Sequence, residues 1–252
     1  MNRYVALGSS MAAGPGIRPR AAGRPWGSGR SARNYPHLVA ERLNLELVDV
    51  TFSGATTAHV LTDQQRGAPP QIAALDGSEI LVTVTIGGND VGYVPLLMAA
   101  SLPRPVRHLP VLGPRICELL DRDARDRALA EVFDSLCAVG GALRRRATKA
   151  RVFFVDYLTI LPPAGTPAPP LSETDAELGR HVAATLEQVT ADAAAATGCE
   201  LVRVAAASRQ HHAWSAEPWT TRSGVPLPGR PAPLHPNGAG MRAVAELVLN
   251  QL

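Results

Sequence analysis

Two kinds of hydrophobic pattern take turns along this chain. Short and nearly continuous apolar runs fall at residues 4–7, 45–50, 80–86, 151–156 and 200–204. Runs of this length, bounded by turn formers, mark strands whose two faces are both covered. The run at 80–86, Ile-Leu-Val-Thr-Val-Thr-Ile, is the clearest, being rich in β-branched residues. Between the runs, apolar residues recur every three or four positions, which predicts helices. Leu38, Val39, Leu43 and Leu45 follow Asn34, a natural helix cap, with Pro36 in the first turn. His59, Val60 and Leu61 predict a short helix, and residues 71–75 another. From about Ala124 to Arg146 one stripe carries Leu129, Val132, Phe133, Leu136, Cys137 and Leu143. An alanine-rich helix is predicted from a cap at Ser172 or Thr174 to about Ala196. The last helix follows residues 234–241 and carries Val244, Leu247 and Val248.

The intervening segments read as loops. Residues 15–33 are rich in glycine, proline and arginine, residues 101–115 hold four prolines and predict a loop or irregular lid, and residues 162–170 are again proline-rich. Residues 205–234 give little secondary-structure signal. No internal repeat occurs and no linker is long or charged enough to divide the chain, so residues 1–252 are expected to form a single domain. Strands alternating with helices predict a parallel sheet in a three-layer α/β/α sandwich, a flavodoxin-like α/β fold.

Composition narrows the functional classes. Of 252 residues, 46% are apolar, enough for a substantial core. No run of eighteen apolar residues exists, so no transmembrane segment is expected. The first strand starts within a few residues of Met1, which leaves no room for a signal peptide and predicts a cytoplasmic protein. The net charge of +3 is spread thinly. Arg144-Arg145-Arg146 stands at the end of a predicted helix, where it complements the helix dipole, so nucleic acid is not an expected partner. Cys117, Cys137 and Cys199 have no metal-binding spacing, and three thiols cannot all pair internally. They read as buried, reduced cysteines.

The candidate chemistry sits where strands end. Gly8-Ser9-Ser10 follows the first strand, Phe52-Ser53-Gly54 the second, and Gly87-Gly88-Asn89-Asp90 the third. A parallel sheet brings all three turns to one edge, the edge at which open α/β sheets bind ligands. His235 opens the last helix and is able to reach the same edge. A hydroxyl, an imidazole and hydrogen-bond donors form the minimum set for acyl transfer. Asp90 is expected to bond backbone in its own turn. His211 and His212 are adjacent and cannot share a helix face as metal ligands, and the glycines at 8–16 match no phosphate-binding loop. Trp26, Trp214 and Trp219 read equally well as pocket walls and as loop anchors. No metal or cofactor is expected.

These four stretches resemble the blocks of the SGNH hydrolases, the GDSL esterase/lipase family, and are most similar to actinobacterial esterases and lipases. Gly8-Ser9-Ser10 stands for the Gly-Asp-Ser block, Gly54 for the glycine of the second, Gly87-Gly88-Asn89-Asp90 for Gly-x-Asn-Asp, and His235 for the last histidine. The resemblance implies an ester hydrolase with Ser10 as nucleophile, His235 as base, and an oxyanion hole from Ser10, Gly54 and Asn89. It implies a small-molecule or lipid ester as substrate. Two departures stand out. Ser9 replaces an acid that is not the nucleophile. Ala232 replaces the aspartate of the family's Asp-x-x-His block, so the resemblance implies a Ser-His dyad. The Ala232 main-chain carbonyl, in its Pro231-Ala232-Pro233 frame, is then expected to accept from His235 Nδ1. The alternatives are an acyltransferase using the same serine and a non-catalytic ligand-binding homologue.

Overall fold

A computed structural model describes residues 2–107 and 109–252. Five strands, β1 (Arg3–Gly8), β2 (Glu46–Asp49), β3 (Glu79–Thr85), β4 (Arg151–Val155) and β5 (Glu200–Val202), form one sheet in the order β2-β1-β3-β4-β5. Every pairing is parallel. The chain order reverses between β1 and β3, so the crevice of such a sheet opens beyond these two strand ends.

The strand side chains alternate between two cores, as period-two geometry requires. Val5, Leu7, Val82, Val84, Val152 and Phe154 face one. Tyr4, Ala6, Leu81, Phe153 and Val155 face the other. The first core is covered by α3 (Thr57–Leu61), α4 (Tyr93–Ala100), α7 (Arg122–Arg146) and α8 (Glu173–Thr197). The second is covered by α2 (Tyr35–Leu43) and α10 (Gly238–Leu249). Polar atoms in the second core find partners: the Tyr4 hydroxyl lies 2.7 Å from Thr83 Oγ1, and the Tyr35 hydroxyl 3.1 Å from Thr85 Oγ1. The expected three-layer α/β/α sandwich is the fold observed.

The caps follow the sequence. Asn34 accepts from the His37 N–H at the start of α2, and Ser172, not Thr174, accepts from Asp175 N–H at the start of α8. Residues 101–115 differ from expectation. They contain α5 (Arg104–Arg107) and the start of α6 (Gly113–Leu120). Pro105 and Pro114 sit at the second helical positions, where proline lacks only an N–H that has no helical partner in any case. α4 carried no helical period because it is apolar all round. It is sandwiched between α6 and α8, with Tyr93, Leu96, Leu97, Ala99 and Ala100 all buried. Two further short helices flank this set, α1 (Ser10–Ala13) and α9 (Val204–Ala207). Among the described residues no helix is long and apolar enough to cross a membrane.

The thiols need a correction. Cys137 is half-buried on its expected stripe and Cys199 is half-buried, but Cys117 is exposed; all three are unpaired. Cys117 lies on α6, a surface helix whose buried residues are Gly113 and Ile116.

Candidate active site

Ser10 is the first residue of α1, immediately beyond β1. Gly8 makes the approach possible. Its φ of 134° is open only to glycine, and a Cβ there would collide with the Thr85 carbonyl. Ser9 N–H closes the turn onto Thr85 O at 2.9 Å. The Ser10 Oγ lies 2.8 Å from His235 Nε2, across 225 residues of chain. Ser9, the neighbouring hydroxyl, faces elsewhere, 3.4 Å from the Tyr157 hydroxyl.

The histidine is held from the other side by a main-chain carbonyl, but not the expected one. His235 Nδ1 lies 2.7 Å from Pro233 O. Ala232 is instead the first residue of a tight turn: His235 N–H returns to Ala232 O at 3.3 Å, and Thr221 Oγ1 donates to that same oxygen at 2.6 Å. Leu234, fully buried with φ 60°, occupies the turn position that requires a left-handed residue, and Pro233 the position before it, where proline is favoured. The turn spends the Ala232 carbonyl on its own closure and swings Pro233 O toward the ring. Among the described residues no carboxylate lies within hydrogen-bond or ion-pair distance of His235. Burial lowers the imidazole's pKa, and the Pro233 carbonyl partly opposes this.

Residues 205–234, silent in the sequence, form the frame for this turn. Thr221 N–H donates to His235 O at 2.9 Å and Asn237 N–H to Trp219 O at 2.9 Å. Asn237 then caps α10, accepting from Ala239 and Gly240 N–H, while its Nδ2 donates to Pro218 O at 2.6 Å. Trp219 stacks on His211, ring centroids 4.0 Å apart, and Trp214 Nε1 donates to Pro169 O. Trp26 is exposed beside Arg66. The tryptophans therefore anchor or cover loops.

Three donors converge on the same edge. Neither Ser10 N–H nor Gly54 N–H has an acceptor among the described residues. Asn89 Nδ2 donates one hydrogen to Ala55 O at 2.8 Å, which leaves its second hydrogen free and ties its turn to the Gly54 turn. Phe52 N–H donates to Gly8 O at 2.9 Å and ties the Gly54 turn to the Ser10 turn. Asp90 does not bond its own turn. It accepts from Thr57 N–H at 3.0 Å and Thr57 Oγ1 at 2.6 Å, on α3. The expected site residues Ser10, Gly54, Asn89 and His235 thus share one edge of the sheet, and Ala232 supports the histidine turn without touching the ring.

A cavity of about 270 Å³ lies beside this edge, walled by Tyr157, Leu158, Ile160, Leu161, Ala183 and Leu186. Ser10 and His235 do not line it. Asp156 does, and its carboxyl is buried with Oδ1 accepting from Ala205 N–H at 2.8 Å and Oδ2 without a partner among the described residues. Burial, reinforced by Glu187, pushes its pKa up to about 7 against the Ala205 and Val204 N–H groups and Arg203.

A parallel sheet in this order, with a serine and an amide at strand ends and a histidine beside them, has the architecture of an α/β hydrolase class. Residues 6–243 match the model of the GDSL-like lipase/acylhydrolase family, and the chain belongs to that family. It is 33% identical to Lipase 2 of Streptomyces coelicolor over 99% of this chain and 85% of that protein. It is 29% identical to a lipase of Streptomyces rimosus over 98% of this chain and 85% of that one. The crystal structure of phospholipase A1 from Streptomyces albidoflavus superposes with a TM-score of 0.82 at 25% identity, covering 100% of this chain and 99% of the other. The chain is a carboxylic ester hydrolase with the SGNH fold.

Proposed function

We propose that this enzyme hydrolyses lipid-type esters by double displacement through a Ser10–His235 dyad. The single observation that carries the reading is the relay Pro233 O–His235–Ser10, with contacts of 2.7 and 2.8 Å. Pro233 O accepts the Nδ1 proton, which leaves Nε2 as the lone-pair nitrogen facing the hydroxyl. His235 takes the Ser10 proton as Oγ attacks the ester carbonyl. The oxyanion is received by Ser10 N–H, Gly54 N–H and Asn89 Nδ2, a set in which each donor is worth roughly 3–4 kcal/mol of barrier. His235 gives its proton to the leaving alcohol; it then takes a proton from water as that water attacks the acyl carbon, and returns it to Ser10 Oγ as the carboxylic acid departs. Lipase and phospholipase relatives support the lipid-type substrate.

The test is Ser10→Ala assayed on p-nitrophenyl esters of rising chain length. A small residue replaces a small one at the start of α1, so the fold persists while turnover disappears. Turnover near that of the unaltered enzyme would place the nucleophile elsewhere.

A further inference from the structure

The strands of the sheet stop at different heights on the catalytic edge, and their uneven ends leave main-chain groups to be satisfied. β1 runs to Gly8, but its last registered partner on β2 is Asp49, opposite Ala6. Val50 and Phe52 N–H still reach Ala6 O and Gly8 O, yet no β2 carbonyl faces Gly8 N–H. The buried side chain of Gln71 fills the gap. Its Oε1 accepts from Gly8 N–H at 2.7 Å and its Nε2 donates to Gly8 O at 3.1 Å. One primary amide thus does for Gly8 what a neighbouring peptide group does within a sheet.

The same happens between β3 and β4. Their register ends at Val84 and Phe154, and the chain continues into Gly87 and Gly88 with no strand alongside. Gly88 N–H donates to the Tyr157 hydroxyl at 2.8 Å. A Cβ on Gly88 would lie 2.7 Å from three atoms of the phenol, so only glycine admits the tyrosine this closely. The same hydroxyl also lies 3.4 Å from Ser9 Oγ, within reach of a second, hydroxyl-to-hydroxyl hydrogen bond. Tyr157 is buried, which keeps its phenol un-ionised with a pKa of about 12. Its hydroxyl touches the residue before Ser10 and the residue before Asn89 at once.

We infer that Gln71 and Tyr157 are positioning residues for ester hydrolysis, which complete the sheet where its strands stop and so hold the nucleophile turn and the oxyanion turn in register. This rests on the dyad reading above. Neither side chain meets the reacting atoms. Each fixes a peptide group one or two residues before one that does. Displacements of about 1 Å in such a constellation cost on the order of 10²-fold in rate, and supporting contacts of this kind decide whether a site is tight.

The experiment uses the full-length enzyme with Tyr157→Phe and Gln71→Leu, one change on the loop after β4 and one on the turn before β3. Four quantities are read: kcat on p-nitrophenyl butyrate with its pH profile, KM for the same ester, the second-order rate of Ser10 phosphonylation by a fluorophosphonate, and the thermal midpoint. Each variant is expected to lower kcat by about tenfold to a hundredfold, with KM within about twofold because substrate contacts are intact. Phosphonylation slows by a similar factor, and the acid limb of the pH profile stays in place, since His235 and Pro233 are untouched. A lowered midpoint with unchanged kcat in the folded enzyme would make both residues merely structural and overturn the inference. If one variant does not fold, the other decides alone. An unaltered enzyme that is not phosphonylated at Ser10 overturns the dyad reading and this inference with it, whereas normal labelling of enzyme and variants alike overturns only the inference.

Discussion

An imidazole serves as a base only when its far nitrogen holds the proton and its ring is aimed. In the proposed dyad His235 meets both conditions through a carbonyl two residues back in the chain, at 2.7 Å. A carbonyl accepts the N–H but brings no full negative charge, so it stabilises the imidazolium less than a carboxylate does. The consequence is visible in pH dependence. Burial lowers the pKa of His235 from its ordinary value of 6.5, and no carboxylate among the described residues opposes this. The active form is neutral, so the acid limb of kcat/KM should fall below pH 6.5, with activity retained as pH drops until His235 protonates. A limb displaced above 6.5 would show an acid acting on the ring. That some main-chain carbonyl would replace the aspartate was legible from Ala232 and the family pattern. Which one was not, because the choice depends on the left-handed Leu234 and on Thr221 claiming the Ala232 oxygen. Leucine is not a residue that announces a positive φ.

At the scale of elements, Asp156 does two things that oppose each other. Its Oδ1 accepts the Ala205 N–H within α9, yet the carboxyl is buried and Oδ2 has no partner among the described residues. Burial pushes its pKa from the ordinary 3.8 up to about 7. Between those values the unfolded chain releases the proton while the folded chain keeps it. Stability from this group is therefore full below about pH 4 and is lost as pH rises to about 7, by an amount on the order of a few kcal/mol. Asp156→Asn retains the acceptor for Ala205 and removes the charge. Urea unfolding from pH 4 to 8 should show a declining stability for the natural enzyme and a flatter one for the variant, with the variant the more stable at pH 8. Equal slopes would refute the assignment. The elements themselves were readable where burial is one-sided. α7 and α2 show their stripes, whereas α4, apolar on every side, shows none. Pro105 and Pro114 read as loop formers because a proline in the first turn of a helix looks, out of context, like any other proline.

At the scale of the molecule, the parallel sheet follows from five apolar runs and the helices between them, and the three turns at strand ends place most of the site. Ser10, Gly54 and Asn89 were legible as a set because parallel strands leave their ends nowhere else to go, and His235 meets them from the turn that opens α10. The scaffolding around them was not. Residues 209–222 hold the histidine turn largely by main-chain bonds, which most sequences could supply, with Thr221 Oγ1 on the Ala232 oxygen, and Gln71 and Tyr157 meet the sheet at positions that no sequence pattern marks. All of it serves one claim, that Ser10 is activated by His235 and by no other base. The direct measurement is fluorophosphonate labelling followed by peptide mass spectrometry, in the natural enzyme and in His235→Ala. The account predicts a single adduct on Ser10 in the natural enzyme and, without the imidazole, a labelling rate lower by several orders of magnitude, on the order of 10⁴ or more. An adduct on another residue, or undiminished labelling of Ser10 in His235→Ala, would contradict it.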